Sequence, residues 1–206
     1  MVSAWPTVPV GTQTITVHQT VLQAVTELFR SAREAGIDNL FISSGFRDYA
    51  EQQELYVNAA DRSFVLPPGH SEHHTGLAVD ILATGIRGAD MSSSREGQWL
   101  VENAWQFGLI LRYPNGKQHI TGVAYEPWHF RYVGKPHAWY MHEHNLVLEE
   151  YIRFLQENGS YTTTLDGITY YVLYETPQNG MISIPENMNF RISGDNTGGY
   201  IITAWR

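Results

Sequence analysis

One stretch of the sequence reads PGHSEHHTGLAVDI, from Pro68 to Ile81, and it predicts a loop that runs into a short buried strand. In its second half, large apolar residues alternate with glycine, alanine and aspartate, which is the two-residue period of a strand. One face is therefore apolar, whereas the other has almost no side chain until it presents the carboxylate of Asp80. Together with the imidazole of His73, this carboxylate indicates a bound metal ion. The alternative is that the loop histidines lie on the surface and that Asp80 caps the next turn.

A second stretch reads YEPWHFRYVG, from Tyr125 to Gly134, and predicts another strand because aromatic and β-branched residues favour one. Pro127 disfavours a helical conformation for the residue before it. Glu126 is therefore expected on the turn that leads into the strand, and His129 on the strand itself. A third ligand with a nearby carboxylate that does not ligate is what a catalytic zinc site requires. Alternatively, Glu126 pairs with Arg131 and His129 is an ordinary strand histidine.

Together the motifs resemble those of the zinc D-alanyl-D-alanine carboxypeptidases of the VanY and VanXY type, within the LAS peptidases. The resemblance rests on SxHxxGxAxD from Ser71 to Asp80, on ExxH from Glu126 to His129, and on SGFRDYAEQ upstream of both. It runs from about residue 40 to about residue 155 and does not explain the last fifty or so residues.

The resemblance implies that His73, Asp80 and His129 hold one zinc ion per chain. It further implies that Glu126 is the general base, taking a proton from the attacking water and passing it to the leaving amine. The reaction would remove the C-terminal D-alanine from a peptidoglycan stem peptide. Glu126 argues against a purely structural zinc site, which has no use for an unligated carboxylate.

Arg47 is expected at the junction between a strand and a helix that Asp48 caps. An arginine there can bind a carboxylate with two parallel hydrogen bonds, although a surface pair with Asp48 or Glu51 is the simpler alternative. The resemblance implies that Arg47, together with Gln52 and Ser71, faces the terminal carboxylate of the substrate or the reacting oxygen. Arg47 is thus expected to serve in catalysis as well as in binding.

The sequence leaves four other functions open. The nearest are an L,D-carboxypeptidase that acts on tetrapeptide stems and a D-Ala-D-Ala dipeptidase. An endolysin that cleaves internal bonds and a non-catalytic domain that binds the cell wall are more remote. The shape of the substrate pocket decides among them, and the sequence does not define it.

Hydrophobic periodicity predicts an α+β fold with two parts. Residues 1–157 are expected to form a single peptidase domain with a small central antiparallel sheet flanked by helices. Residues 158–206 are expected to form a β-rich C-terminal appendage. Helices are predicted over residues 20–35, 48–60, 97–107 and 136–155. Short strands are predicted in the appendage over residues 161–164, 168–174, 181–184, 190–193 and 200–204.

The composition excludes several classes of protein. The net charge of −8 argues against a nucleic-acid partner, and the absence of cysteine leaves only histidine and carboxylate as zinc ligands. No stretch is long and apolar enough for a membrane span, and no leader is recognisable. We expect a monomer that acts outside the cell, in the wall or at a membrane-anchored surface through a longer form; a cytoplasmic location is the alternative. His137, His142 and His144 are predicted to be surface or packing residues.

Overall fold

Four antiparallel strands form the central sheet of the computed structural model, which describes residues 1–4, 8–11 and 14–206. Contacts between Cα atoms divide the chain into two compact units, residues 1–142 and residues 143–206. Each unit contains a four-stranded antiparallel sheet, and each is described by itself. Helices and antiparallel sheets in both units confirm the predicted α+β class.

The first unit contains both short and long elements. Its strands are β1 (Val2–Ser3), β2 (Thr16–Val17), β3 (Leu40–Ser44), β4 (Ala78–Ala83), β5 (Leu109–Leu111) and β6 (His129–Tyr132). Its helices are α1 (Gln19–Glu34), α2 (Tyr49–Asn58), α3 (Arg95–Asn103), α4 (Gln118–Thr121) and α5 (Lys135–Glu143). Short 3-10 turns cover Glu72–Thr75, Ala89–Ser92 and Ala104–Phe107. The strand order in the central sheet is β3-β4-β6-β5, and β1 pairs with β2.

Helix α1 supplies much of the core of this unit. Its buried side chains recur every three or four residues, which places them on one face of the helix. They belong to one apolar cluster with residues of the central sheet, among them Ile42, Ile81 and Phe130. The helix begins after His18, whose Nδ1 accepts a hydrogen bond from the backbone N–H of Thr20. The predicted core-packing helix over residues 20–35 is confirmed.

Strand β4 separates the core from the polar face of the sheet. Val79 and Ile81 are fully buried in the apolar core, and Asp80 between them points to the opposite face. The antiparallel register pairs Asp80 with His129 of β6 on one side and with Ser44 of β3 on the other. Residues paired in this way project from the same face. The fold therefore gathers polar side chains from three neighbouring strands at one place.

The helix predicted over residues 136–155 is wrong, because two helices occupy this stretch. Helix α5 ends at Glu143, and α6 (Leu148–Asn158) starts after the four intervening residues 144–147. Between them Asn145 has a φ of 51°, a left-handed conformation that terminates a helix and that asparagine tolerates better than most residues. Helix α6 then begins with the side chain of Glu150 accepting a hydrogen bond from the backbone N–H of Val147.

The second unit consists of α6 and a four-stranded antiparallel sheet. The strands are β7 (Ser160–Leu165), β8 (Ile168–Glu175), β9 (Asn189–Gly194) and β10 (Tyr200–Trp205), in the order β7-β8-β10-β9. Asp166 and Gly167 both have positive φ angles, 51° and 76°, as the two-residue turn between β7 and β8 requires. The predicted hairpin is thereby confirmed.

The strand predicted over residues 181–184 is not formed. Asn179 and Gly180 make a tight turn with φ angles of 53° and 76°. Gln178 and Met181 close this turn with a pair of backbone hydrogen bonds of 2.8 and 3.0 Å, and the pairing extends no further in the described chain. Pro185, which has no N–H to donate to a sheet, comes directly after the predicted strand.

The compact units meet at residues 142 and 143, earlier in the chain than the predicted domain boundary at residues 157 and 158. Helix α6 belongs with the second sheet because the rings of Tyr151 and Phe154 both lie 6.4 Å from that of Tyr161 on β7. The division into a catalytic domain and an appendage remains a prediction. Among the described residues, no helix combines the length and the apolar character that crossing a membrane requires.

Candidate metal centre

The sheet register brings two of the three predicted metal ligands together, Asp80 and His129. Asp80 and His129 are paired residues on β4 and β6, and the Nδ1 atom of His129 lies 3.1 Å from Oδ1 of Asp80. His129 is the first residue of β6, while Glu126 lies three residues earlier on the turn, as predicted. Their placement follows from Pro127 and from the start of β6, and it lets both side chains reach the same site.

His73 reaches the same carboxylate from a 3-10 turn. Its Nε2 atom lies 3.4 Å from Oδ1 of Asp80, and its Nδ1 atom lies 2.6 Å from the carbonyl oxygen of Gly45. Because a carbonyl oxygen only accepts, this contact fixes the proton on Nδ1 and leaves the lone pair of Nε2 facing the carboxylate. The turn ends at Gly76, whose φ of 66° suits glycine.

These three side chains fit a metal ion. Their ligand atoms lie within 4.8 Å of one another, and His73, Asp80 and His129 are all buried. Oδ1 of Asp80 has no hydrogen-bond partner among the described residues despite its two imidazole neighbours, because their geometry does not suit hydrogen bonds. Two imidazole nitrogens and a carboxylate oxygen that converge without bonding to one another form a donor set suited to zinc.

Glu126 lies beside this cluster without joining it. Its Oε2 atom is 3.5 Å from Nδ1 of His129, and only 5% of the residue is exposed. Burial raises the pKa of the Glu126 carboxyl to about 7, although the positive charges of His129 and Arg47 oppose the rise. A carboxyl group with a pKa near neutrality can both accept and return a proton.

The environment of His129 favours its charged form. Burial acts to lower the pKa of His129, but the carboxylates of Asp80 and Glu72 outweigh it and raise this pKa to about 9. Burial also acts to raise the pKa of Asp80, yet the two histidines hold it well below its usual range. The carboxylates and the imidazoles of the cluster therefore stabilise each other's charged forms.

Arg47 points into the site from the loop between β3 and α2. Its Nη2 donates to Oδ2 of Asp80 at 2.8 Å, its Nε to the hydroxyl of Ser44 at 2.9 Å, and its Nη1 to Oε1 of Gln52 at 3.3 Å. The alternative of a surface pair with Asp48 or Glu51 does not hold. Asp48 instead caps α2, as predicted, and accepts from the backbone N–H of Glu51.

Gln52 and Ser71, the two other predicted substrate-binding residues, lie close by and are hydrogen-bonded to neighbouring groups. Gln52 is 1% exposed and donates its Nε2 to the carbonyl oxygen of Leu66 at 2.7 Å. Ser71 is 9% exposed, and its hydroxyl accepts from the backbone N–H of His73 at 3.4 Å. Both therefore hold neighbouring groups of the site in place, and their roles toward a substrate remain predictions.

A partly buried ion-pair cluster on the other side of His129 was not predicted from the sequence. Oε1 of Glu72 accepts from Nε of Arg112 at 2.8 Å and lies 3.2 Å from Nη1 of Arg131. Arg131 thus faces Glu72, not Glu126 as the alternative had it. Burial acts to raise the pKa of Glu72, but His129 and the two arginines hold it well below its usual range. The only sequence signal was an acidic residue next to His73.

None of the other described histidines joins the metal cluster. The Nδ1 atom of His74 lies 2.8 Å from the carbonyl oxygen of Arg47, and its Nε2 accepts from the backbone N–H of Gly69. The exposed ring of His142 stacks on Trp105, with 5.3 Å between the ring centroids. This stacking fits the packing role predicted for His142.

Residues 16–18 connect the two loops of the site. The backbone N–H of Phe46 donates to the carbonyl oxygen of Thr16 at 2.8 Å, and that of His18 donates to the carbonyl oxygen of Gly76 at 3.0 Å. At Gly45, a Cβ atom would lie only 2.5 Å from the Thr16 oxygen, so only glycine fits. One short segment therefore joins the loop between β3 and α2 that carries Arg47 (the arginine loop) to the 3-10 turn Glu72–Thr75 that carries His73 (the histidine turn).

A cluster of two histidines and an aspartate, with an unligated glutamate beside it, is the arrangement typical of metal-dependent hydrolases. The sequence matches the VanY family, described as D-alanyl-D-alanine carboxypeptidase, over residues 14–135. The chain belongs to this family of peptidases.

One relative is the D-alanyl-D-alanine carboxypeptidase of Enterococcus faecium, which is 40% identical over 186 residues. The match covers 90% of this chain, and the chain spans 60% of the length of that relative.

Two solved structures are also similar. One is the vancomycin resistance D,D-dipeptidase VanXYg in complex with a D-Ala-D-Ala phosphinate analogue, at 31% identity and a TM-score of 0.83. It covers 97% of this chain and 86% of its own, so the similarity continues into the last fifty residues, which the sequence motifs left unexplained. The other is a mutant of the VanB-type D,D-pentapeptidase VanY in complex with Zn(II), at 36% identity and a TM-score of 0.62, covering 70% of this chain and 88% of its own.

Proposed function

We propose that the chain is a zinc-dependent D,D-carboxypeptidase that removes the C-terminal D-alanine from peptidoglycan stem peptides. The observation that carries this proposal is the buried, unligated Glu126 carboxylate 3.5 Å from a ligand atom of the metal cluster. A non-catalytic domain that binds the cell wall would have no use for this carboxylate. The D-alanyl-D-alanine carboxypeptidase of E. faecium supports the choice of substrate.

One zinc ion would be held by Nε2 of His73, Oδ1 of Asp80 and Nδ1 of His129. When bound, zinc supplies Lewis-acid chemistry, which polarises the scissile carbonyl and makes water a nucleophile at neutral pH. The hydrogen bond between His73 and Gly45 holds the first ligand in the tautomer that zinc requires. The Zn(II) complex of the related VanY pentapeptidase supports the choice of metal.

Glu126 would move the proton during hydrolysis. Its carboxylate takes a proton from the attacking water as the carbon–oxygen bond forms, and then gives that proton to the nitrogen of the leaving D-alanine as the peptide bond breaks. Because burial raises its pKa to about 7, the carboxylate is basic enough for the first step and its acid strong enough for the second.

Arg47 would bind the free carboxylate at the substrate's C-terminus. A guanidinium carries five N–H donors. Three of them serve Ser44, Asp80 and Gln52, which leaves one donor on each terminal nitrogen without a partner among the described residues. Two such donors match the two oxygens of a carboxylate. Gln52 would act by holding Arg47, and Ser71 by holding the histidine turn.

The substrate defines where the enzyme works. Stem peptides are part of the cell wall, so we propose that the chain acts there, outside the membrane. We further propose that it acts as a monomer. We propose no nucleic-acid partner, because a net charge of −8 disfavours binding to phosphate groups.

Replacing the ligands tests the metal site. The purified chain is expected to bind about one zinc ion per molecule. His73→Ala, Asp80→Ala and His129→Ala should each lower zinc occupancy, measured by atomic emission on protein whose fold circular dichroism confirms. His142→Ala is the matched control, because this histidine stacks on Trp105 and should leave zinc unchanged. Full occupancy in all three ligand variants would contradict the assignment.

A substrate panel tests the reaction. Zinc-loaded protein is incubated with tripeptide, tetrapeptide and pentapeptide stems and with free D-Ala-D-Ala, and the products are identified by mass. We expect one D-alanine to be released from the pentapeptide, and at least ~10-fold slower cleavage of every other substrate. Preference for the tetrapeptide would identify an L,D-carboxypeptidase, and preference for the free dipeptide a dipeptidase. Either result would replace the proposed specificity.

A further inference from the structure

The imidazole of His129 has a carboxylate at each of its two nitrogens. Nδ1 faces Asp80 and Glu126 on the side of the metal cluster, at 3.1 and 3.5 Å. Nε2 faces the opposite way, toward Oε2 of Glu72 at 3.7 Å. Glu72 thus lies on the side of His129 opposite the metal cluster. It belongs to the same 3-10 turn that carries His73.

Both facing atoms are buried and lack another partner. Oε2 of Glu72 and Nε2 of His129 make no hydrogen bond within the described part of the chain. Their separation is longer than a formed hydrogen bond, and a movement of about 1 Å would bring them to the ~2.8 Å of a charge-assisted one. In the buried interior each of these atoms needs a partner, and each lies 3.7 Å from the other.

Glu72 is held so that it presents this one oxygen. Its Oε1 atom lies 2.8 Å from Nε of Arg112 and 3.2 Å from Nη1 of Arg131. Arg131 belongs to β6, the strand that starts at His129, and the backbone N–H of Arg112 donates to the carbonyl oxygen of His129. The two arginines therefore fix Oε1 beside the strand and direct Oε2 toward the ring.

We propose that Glu72 is a positioning residue for the metal ligand His129, accepting the proton of Nε2 and so keeping the lone pair of Nδ1 turned toward the metal. A carboxylate behind a ligating imidazole fixes both the tautomer and the ring orientation and strengthens the ligand. The two ligating histidines are then held alike: His73 through Nδ1 by a carbonyl oxygen, and His129 through Nε2 by a carboxylate. This role rests on the zinc site proposed above, but not on the substrate.

A purely structural role would make Glu72 only the counter-charge for Arg112 and Arg131. The two roles give different orders of effect for Glu72→Gln and Glu72→Ala. In the glutamine variant the arginines hold the amide oxygen, so the amide NH₂ faces Nε2 and favours the tautomer whose Nδ1 carries the proton and cannot bind metal. In the alanine variant, water can take the place of the carboxylate. Glutamine should therefore harm metal binding at least as much as alanine does.

The test measures zinc affinity by competition with a chelator, and the visible absorption spectrum of the Co²⁺-substituted protein, without substrate. Glu72→Gln is expected to weaken zinc binding at least ~10-fold and to change the cobalt spectrum, with a loss no smaller than that of Glu72→Ala. Glu102→Gln, at an exposed glutamate of α3, is the matched control and should match the wild type in both measurements.

Two outcomes would overturn the proposal. One is zinc affinity within about threefold of wild type in both folded variants. The other is a greater loss of zinc affinity in Glu72→Ala than in Glu72→Gln, which is the order expected for lost packing. If neither variant folds, Glu72→Asp decides, because it keeps the charge beside the arginines but draws the carboxylate back from His129. Weaker zinc binding by this variant supports the proposal, and unchanged zinc binding overturns it. A wild type that binds zinc but cleaves no stem peptide would contradict only the proposed function.

Discussion

Glu126→Ala is expected to lower the rate of stem-peptide hydrolysis by at least ~100-fold while the zinc ion stays bound. The carboxylate of Glu126 is the only group of the site for which we propose a proton-transfer role, and general acid–base catalysis contributes roughly 10²–10⁴-fold to such reactions. Its removal should leave the three ligands in place, since it only approaches the Nδ1 atom of His129, at 3.5 Å. The loss should therefore appear in kcat and leave metal content unchanged.

Measurement of kcat, KM and zinc content on the same preparation checks this prediction. Glu126→Gln is the isosteric variant, and it should be about as slow as Glu126→Ala because an amide cannot accept the proton. Glu102→Ala on the surface of α3 is the control and should retain wild-type activity. If zinc is lost together with Glu126, this residue is a ligand and the assignment of the base is wrong.

Amidation of the substrate's terminal D-alanine is expected to slow cleavage by the unaltered enzyme tens-fold or more. The two spare N–H donors of Arg47 would then face a neutral group in place of a carboxylate. A hydrogen bond to a charged group contributes roughly 1.5–3 kcal/mol, which corresponds to about 10–150-fold in kcat/KM. Changing the substrate is cleaner than changing Arg47, because Nη2 of this arginine also holds the metal ligand Asp80 at 2.8 Å.

The arginine variants complete this test when zinc content is measured beside activity. Arg47→Lys keeps the charge but loses the planar pair of donors, and it should recover only part of the activity that Arg47→Ala loses. A pentapeptide acetylated at its N-terminus is the matched substrate control, since it changes a charge far from the scissile bond. Equal cleavage of free and amidated stems would indicate an endopeptidase and contradict the carboxypeptidase proposal.

The predicted metal cluster was accessible from the sequence because its members sit in two short motifs with simple local rules. Alternation along β4 isolated Asp80 on the polar face, and Pro127 separated Glu126 from His129 at the start of β6. What the motifs did not define was which strands pair. The register that sets Asp80 against His129 depends on the whole sheet, and it is known only from the structure.

Glu72 could not be recognised in the sequence because its partners are far away along the chain. Arg112 lies 40 residues downstream, and it reaches Glu72 only because β5 and β6 are neighbours. The break between α5 and α6 escaped prediction for a different reason. Residues 144–147 contain neither glycine nor proline, yet Asn145 is left-handed and Val147 is extended, and together they interrupt the helix. Asparagine tolerates this conformation but does not require it.

The backbone hydrogen bonds of residues 16–18 make the metal centre part of a larger cooperative unit. Neither the arginine loop nor the histidine turn can open without breaking a bond to this segment, at Phe46 in one case and at His18 in the other. Local unfolding of the segment would therefore release both loops together, and any ligand that binds the ordered site opposes that opening. The amide protons of His18 and Phe46 are therefore expected to report on occupancy of the site. Their exchange with solvent should slow when metal or substrate is bound, although neither residue contacts either one in the proposed mechanism.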